Sequence, residues 1–207
     1  MITYGITVCD ELFEFKRLID SLTPYLIKGE EIVVLADALK ITQEIKSFCE
    51  SRNLPINYYN FNNDFANFKN ELISLAKTKY LFQIDADEQI PPSLLLVVRQ
   101  LLAENNYDCL WIPRINIVHG YTEQDVINFN WQINKNNWIQ FPDYQLRVFQ
   151  INDKIKWHKG VHEQVIGYER EFALNFDPVE LFSILHVKEI AKQIKQNNLY
   201  KEIENNA

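Results

Sequence analysis

Apolar residues recur along the first half of the chain in a repeated unit, a short continuous run followed by helical spacing. "ITYGITV" (2–8) predicts a buried strand, with Asp10 as the N-cap of a helix that aligns Leu12, Phe15, Leu18, Ile19, Leu22 and Leu26. "EIVVLA" (31–36) predicts a second strand ending at Asp37, and Ile41, Ile45, Phe48 and Cys49 then fall on one helical face. "LPINYYNF" (54–61) reads as a third strand; Asp64 caps a helix carrying Phe65, Phe68, Leu72 and Leu75. "KYLFQI" (79–84) is the fourth, and Pro91 and Pro92 suit the first positions of a helix through Leu94, Val97, Val98, Leu101 and Leu102. Strand-then-helix repetition predicts an α/β protein with a mostly parallel sheet covered by helices on both faces.

After residue 107 the pattern turns strand-like, in "DCLWIPRINIV", "YQLRVFQ" and "KIKWH". The last two flank "INDK", which predicts a hairpin turn. "VKEIAKQIKQNNLYKEI" predicts a polar helix with a thin apolar stripe, packed lightly on the surface. No linker-like composition separates these parts, so residues 1–207 are expected to form one domain with a smaller β-rich C-terminal part. In this division 1–106 is the ligand-binding half, 107–190 completes the site, and 191–207 is a C-terminal helix.

Composition narrows the function classes. A formal charge of −7 disfavours binding along a nucleic-acid backbone, so an anionic ligand needs local cations, a metal or helix N-termini. Cys9, Cys49 and Cys109 are scattered and odd in number, which fits neither a disulfide framework nor paired zinc ligands. The expected compartment is the cytoplasm, because the chain shows no basic leader and no apolar run of bilayer length; peripheral membrane contact stays open.

The chemistry concentrates in "KYLFQIDADEQIPP", where Asp85, Asp87 and Glu88 follow an apolar strand. In an open parallel sheet ligands bind beyond the C-terminal strand ends. Asp10, Glu11 and Asp37 belong to the same rim. Clustered carboxylates repel unless a cation neutralises them, and oxygen ligands favour Mg²⁺, Mn²⁺ or Ca²⁺. An EF-hand is excluded, since Ile90 stands where the loop needs Gly and Leu96 where it needs Glu. Glu88 is read as favouring the next helix's N-terminus. In "FNWQINKNNWIQF" (129–141), Trp131 and Trp138 lie seven apart; two core anchors are favoured over an acceptor-facing loop.

These segments resemble glycosyltransferase family 2, with the Rossmann-like GT-A fold. "YLFQIDADE" resembles that family's strand ending in Asp-x-Asp, and "DFANFKNELISLAKTKY" its preceding helix, with Lys69-Asn70 where an Arg-Asn pair is frequent. "ITVCDE" is similar to the opening strand. "FPDYQLRVFQINDKIKWHKGVHEQV" and the His of "LHVK" resemble a subgroup related to lipopolysaccharide-core glucosyltransferases. The likeness extends over about residues 2 to 190. After the second strand "LADALK" offers only Asp37, fewer acidic residues than the family usually carries there.

The resemblance implies inverting transfer of a sugar from a nucleotide diphosphate donor, uridine-linked, to a hydroxyl acceptor such as a glycan. It implies a Mn²⁺ or Mg²⁺ ion at Asp87 and Asp85, with His162 and His186 as further metal or diphosphate ligands. Thr7, Glu11 and Asp37 would line the nucleoside pocket, Asn70 and Arg147 would serve the donor, and Glu163, or else Asp143, would be the base. Two other classes compete. A nucleotidyltransferase would need a Gly-rich phosphate loop absent from "TVCDELFEF"; a noncatalytic sugar-nucleotide binder would keep the fold without a working Glu163.

Overall fold

The computed structural model describes residues 1–205; positions 206 and 207, the end of the expected C-terminal helix, lie outside the described residues. Four parallel strands, β1 (Ile2–Val8), β2 (Glu31–Asp37), β3 (Ile56–Tyr59) and β4 (Tyr80–Asp85), alternate with α1 (Leu12–Leu22), α2 (Gln43–Ser51) and α3 (Phe65–Leu75). Next come β5 (Glu88–Gln89), α4 (Pro92–Glu104), β6 (Cys109–His119), α5 (Glu123–Asn128) and β7 (Ile139–Gln150). The chain ends with β8 (Lys156–His158), β9 (Gln164–Ile166), β10 (Glu171–Ala173), β11 (Ile184–Glu189) and α6 (Ile190–Asn205). The main sheet runs β3-β2-β1-β4-β7-β6-β11-β5, with β10 also on β6, and β8 and β9 pair separately. The sheet is therefore mixed: β7 is antiparallel to both β4 and β6, while β10 and β11 lie parallel to β6.

Alternation along the buried strands assigns the two faces. Tyr4, Ile6, Phe82 and Ile84 meet Phe15, Leu18, Phe48, Leu94 and Val98 of α1, α2 and α4. Leu81, Phe149 and Trp157 meet Phe68 and Leu72 of α3 on the other face. Gly5 permits that second contact, because a Cβ there would lie 2.6 Å from Leu81 Cδ1 and 3.0 Å from Leu72. On β4 the same parity sends Gln83 and Asp85 toward α3, which fixes the side on which the site forms.

Several expectations change. Glu11, not Asp10, occupies the N-cap of α1, and its carboxylate accepts the Cys9 and Asp10 N–H groups instead of capping forward. Asp64 does cap α3, accepting from Asn67 N–H at 2.9 Å. "INDK" is not a β-hairpin: both edges of β7 are taken by β4 and β6, so β8 turns away and pairs with β9. The residues "VKE", expected as helix, belong to β11, and α6 starts at Ile190.

Candidate active site

The turn after β4 is built around a buried acid. Glu88 is fully buried, and one of its oxygens accepts the Asp85 N–H at 3.0 Å. Its other oxygen pairs with Arg147 and, at 3.2 Å, with Arg114. This overturns the expectation that Glu88 only favours a helix N-terminus: it folds the Asp-x-Asp turn back onto two arginines. Asp85 accepts the Thr7 hydroxyl at 3.0 Å and Arg147 at 2.8 Å. Burial would raise its pKa, but the charges of Arg147 and Lys69 outweigh that and hold it below the usual carboxylate range. Arg147 is itself buried, and desolvation is overcome by Asp85 and Glu88, which keep it charged.

Asp87 stands differently. The antiparallel register of β5 on β11 sets Glu88 opposite His186, which brings the imidazole to Asp87. One Asp87 oxygen lies 3.3 Å from His186 Nε2 and 3.1 Å from Lys192 Nζ. Burial opposes ionisation of Asp87, and His186 and Lys192 reverse the effect, so its pKa also falls below the usual range. Behind the imidazole, Asn116 donates to Asp143 at 2.8 Å, which leaves its amide oxygen to accept from His186 Nδ1 at 2.9 Å. In the neutral ring this directs the Nε2 lone pair at Asp87, two acceptors face to face that a proton or a shared cation must reconcile.

Asp143 is saturated. One oxygen takes Arg114 and Asn116, the other takes Gln145 at 2.7 Å. Burial is again outweighed, here by Arg114 and Asn116, and the pKa is lowered. Glu163 instead pairs with Lys69, whose ammonium lies 4.4 Å from the centre of the Trp157 ring. Trp157 is fixed from three sides, by Gln83 on its indole N–H and by the Asn70 amide on its backbone N–H and carbonyl. Asn70 thus secures β8 against α3.

Asp85, Asp143, Arg147, Glu163 and His186 line one cavity of about 360 Å³, within the size range of small-ligand sites. Thr7, Glu11 and Asp37 sit at or next to the ends of β1 and β2, where Asp37 is occupied by the Leu39 N–H and Lys40. His162 is not brought to Asp87; it is exposed and meets Glu204 of α6 at 2.8 Å. Trp131 and Trp138 belong to neither buried core cluster, contrary to the anchors expected: Trp131 lines the cavity beside Tyr121 and Phe129, and Trp138 packs on Phe141. Their aromatic partners are close in sequence, so this stretch packs on itself and not into either core cluster.

Sequence patterns missed Arg114, Asn116, Lys188 and Lys192, and gave Glu88 a different role. The available signal was a charge inside an apolar strand, as in "WIPRINIV" and "QLRVF", where Arg114 and Arg147 are. Their presence also corrects the reason given for a metal. Asp85, Asp87, Glu88, Asp143 and Glu163 each pair with one or more of Lys69, Arg114, Arg147 and Lys192, so neutralising the acids does not by itself require an ion. The donor set at Asp87 and His186 still fits a divalent cation, through an oriented imidazole and a carboxylate oxygen facing it. At the end of β1, Cys9, Asp10 and Glu11 bring possible ligand atoms within 4.8 Å, but burial pushes the Cys9 thiol up to about 11, where it is a poor ligand.

The family profile described as "Glycosyl transferase family 2" matches residues 5–164, a span containing both the Asp-x-Asp turn and Glu163. The chain belongs to glycosyl transferase family 2. Two curated relatives are each 26% identical over 179 residues: the SPbeta prophage-derived glycosyltransferase SunS of Bacillus subtilis (strain 168) and glycosyltransferase SunS of Bacillus phage SPbeta. That alignment takes in 84% of this chain and 37% of each relative, so the chain spans little more than a third of their length. Among solved structures, S. aureus TarS 1–349 superposes with a TM-score of 0.63 at 13% identity, covering 90% of this chain and 60% of TarS 1–349. The same TarS fragment in complex with UDP-GlcNAc gives 0.62, also at 13% identity, covering 90% and 58%. At that identity the likeness establishes the GT-A-type fold of this family 2 domain. Among the described residues no helix is long and apolar enough to cross a membrane.

Proposed function

We propose that this family 2 domain transfers a sugar, with inversion, from a nucleotide diphosphate donor to a hydroxyl acceptor, for which a glycan is the favoured class. The carrying observation is the convergence of Asp85, His186 and Glu163 on one cavity, with Asp87 held against His186 at its edge. A uridine-linked donor is supported by TarS, the fold neighbour solved with UDP-GlcNAc. Thr7, Glu11 and Asp37 are the proposed nucleoside-side residues.

Asp87 and His186 would hold Mn²⁺ or Mg²⁺, with Asp85 next to them as orienting carboxylate. When bound, such an ion supplies charge stabilisation to the departing diphosphate. Arg147 keeps Asp85 ionised and immobile, and the His186–Asn116–Asp143 chain fixes the imidazole. Glu163 is the proposed base. It faces the cavity, and among the described residues its second oxygen makes no hydrogen bond, which leaves a lone pair to take the acceptor proton. Asp143, the other candidate, has its oxygens committed to Arg114, Asn116 and Gln145, which suits a positioning role.

The test is a panel of nucleotide-sugars scored for donor hydrolysis with Mn²⁺ and with chelator, alongside UDP binding by Asp87→Asn. The expected result is metal-dependent hydrolysis of one donor class and loss of Mn²⁺-dependent UDP binding in the variant. Donor binding that is indifferent to both chelator and Asp87→Asn would exclude the proposed metal site.

A further inference from the structure

The junction of β11 and α6 brings one ammonium group, Lys188, to the cavity wall and a second, Lys192, to Asp87 at its edge, and the reaction described above uses neither. Lys188 lies two residues after His186 on β11, so strand alternation directs both side chains to the same face, and both line the cavity. Among the described residues its hydrogen bond goes to the neutral amide oxygen of Gln196, 3.0 Å away, and not to a carboxylate. A part-buried ammonium with three donors and one neutral acceptor is left with donors to spare for an arriving anion.

Lys192, on the first turn of α6, is the more exposed partner of Asp87, with 38% of its side chain accessible against 14% for Asp87. It shares the same Asp87 oxygen that His186 faces. An ion held by Asp87 and His186 would compete for that oxygen and free the ammonium, whose flexible stem lets it take a new partner nearby. Gln193, Gln196 and Tyr200 continue the α6 wall of the cavity with uncharged polar groups. The helix is anchored at its far end, where Ile203 is buried and Leu199 packs on the α3-side core.

We propose that Lys188 and Lys192 form a two-ammonium clamp for the donor's diphosphate, with Lys192 resting on Asp87 until the donor arrives. This rests on the nucleotide-sugar reading above. The pairing agrees with it: each of the site's acids already has a cation beside it, so a metal-bound diphosphate needs a cation outside those pairs or one that can change partner. Lys188, facing Gln196, and Lys192, on a partly solvated ion pair, meet that condition better than Arg147, which is locked between two carboxylates.

Binding of UDP and UMP in Mn²⁺ should be measured by calorimetry for the wild type, Lys188→Met, Lys192→Met and Lys192→Arg. Lys195→Met, at an exposed position of the same helix, is the control, and thermal melts check folding. Each Met variant should weaken UDP binding about tenfold, the scale of one lost charge-assisted hydrogen bond, and UMP less than about twofold. Lys192→Arg should retain most affinity, and Lys195→Met all of it. Mn²⁺ alone, followed by EPR, should bind Lys192→Met at least as tightly as the wild type. Unchanged or tighter UDP binding in both Met variants, equal losses for UDP and UMP, or a parallel fall in Mn²⁺ affinity would each overturn the clamp. A wild type that binds neither nucleotide would instead overturn the nucleotide-sugar reading on which it rests.

Discussion

The two halves of the chain meet at one site, the first contributing its acidic turn and the second most of the cations paired with that turn. From the first half, β4 and β5 deliver Asp85, Asp87 and Glu88 on a turn that follows directly from a buried parallel strand. From the second, β6, β7, β11 and α6 deliver Arg114, Arg147, His186, Lys188 and Lys192, on strands that enter the sheet out of sequence order. A desolvated carboxylate turn needs its arginines, and the buried arginines need those acids. Docking the halves therefore assembles the site as it completes the sheet, and the ion pairs divide into a set centred on the buried Arg147 and Glu88 and a set in which Asp87 meets the partly exposed Lys192, the pair proposed to exchange.

The strongest way to break that comparison is to remove the central cation. Arg147→Met leaves the buried Glu88 and the part-exposed Asp85 without their shared partner, and Arg114 compensates only Glu88. The expected loss is about 3–5 kcal/mol of unfolding free energy, measured by urea denaturation at neutral pH, with Lys192→Met within about 1 kcal/mol of wild type as the exchangeable counterpart. Equal effects of the two substitutions would show that the division into fixed and exchangeable pairs is wrong.

Glu163→Gln sharpens the comparison at the chemical end of the site. Glu163 is reached through the β8–β9 hairpin and not through the acidic turn, so the substitution should leave UDP binding intact while cutting transfer by about 10²–10⁴-fold, the usual contribution of a general base. Single-turnover transfer and UDP affinity, measured on the same preparation, separate these effects. Full transfer by Glu163→Gln would leave the domain without its proposed base and favour a binding-only role for this carboxylate.

The unequal legibility of the two halves has the same physical origin. In the first half each strand is sequence-local to the helix that covers it, so apolar runs, Asp64 as cap and Pro91-Pro92 at the start of α4 could be read directly. In the second half partners are distant: His186 meets Asp87 across 99 positions, and Glu163 meets Lys69 across 94. Periodicity carries no information about such pairings. It showed strands but not that β7 would have both edges filled, so "INDK" looked like a hairpin and β11 merged into α6. Glu88 read only as favouring the next helix's N-terminus because its partners, Arg114 and Arg147, lie in strands whose order in the sheet no local rule reveals.

The smallest expected effect distinguishes Asp143 as a positioning group from Asp143 as a base. Its lowered pKa arises because Arg114 and Asn116 outweigh the cost of burial, so its charge stabilises the folded state. For a depressed carboxyl pKa, that contribution is complete above the unfolded value near ~3.9 and is lost as pH falls through the lower folded value. Asp143→Asn should therefore cost about 1–2 kcal/mol at pH 7, and its gap from wild type should close as the medium is acidified below about pH 4. Urea midpoints for both proteins from neutral to acid pH test this. The same variant should lower affinity for Mn²⁺ by about tenfold, because His186 loses the Asp143 end of its Asn116 support, while retaining measurable single-turnover transfer. A pH-independent stability gap would deny the charge its structural role, and complete loss of transfer with Mn²⁺ affinity unchanged would return Asp143 to candidacy as the base.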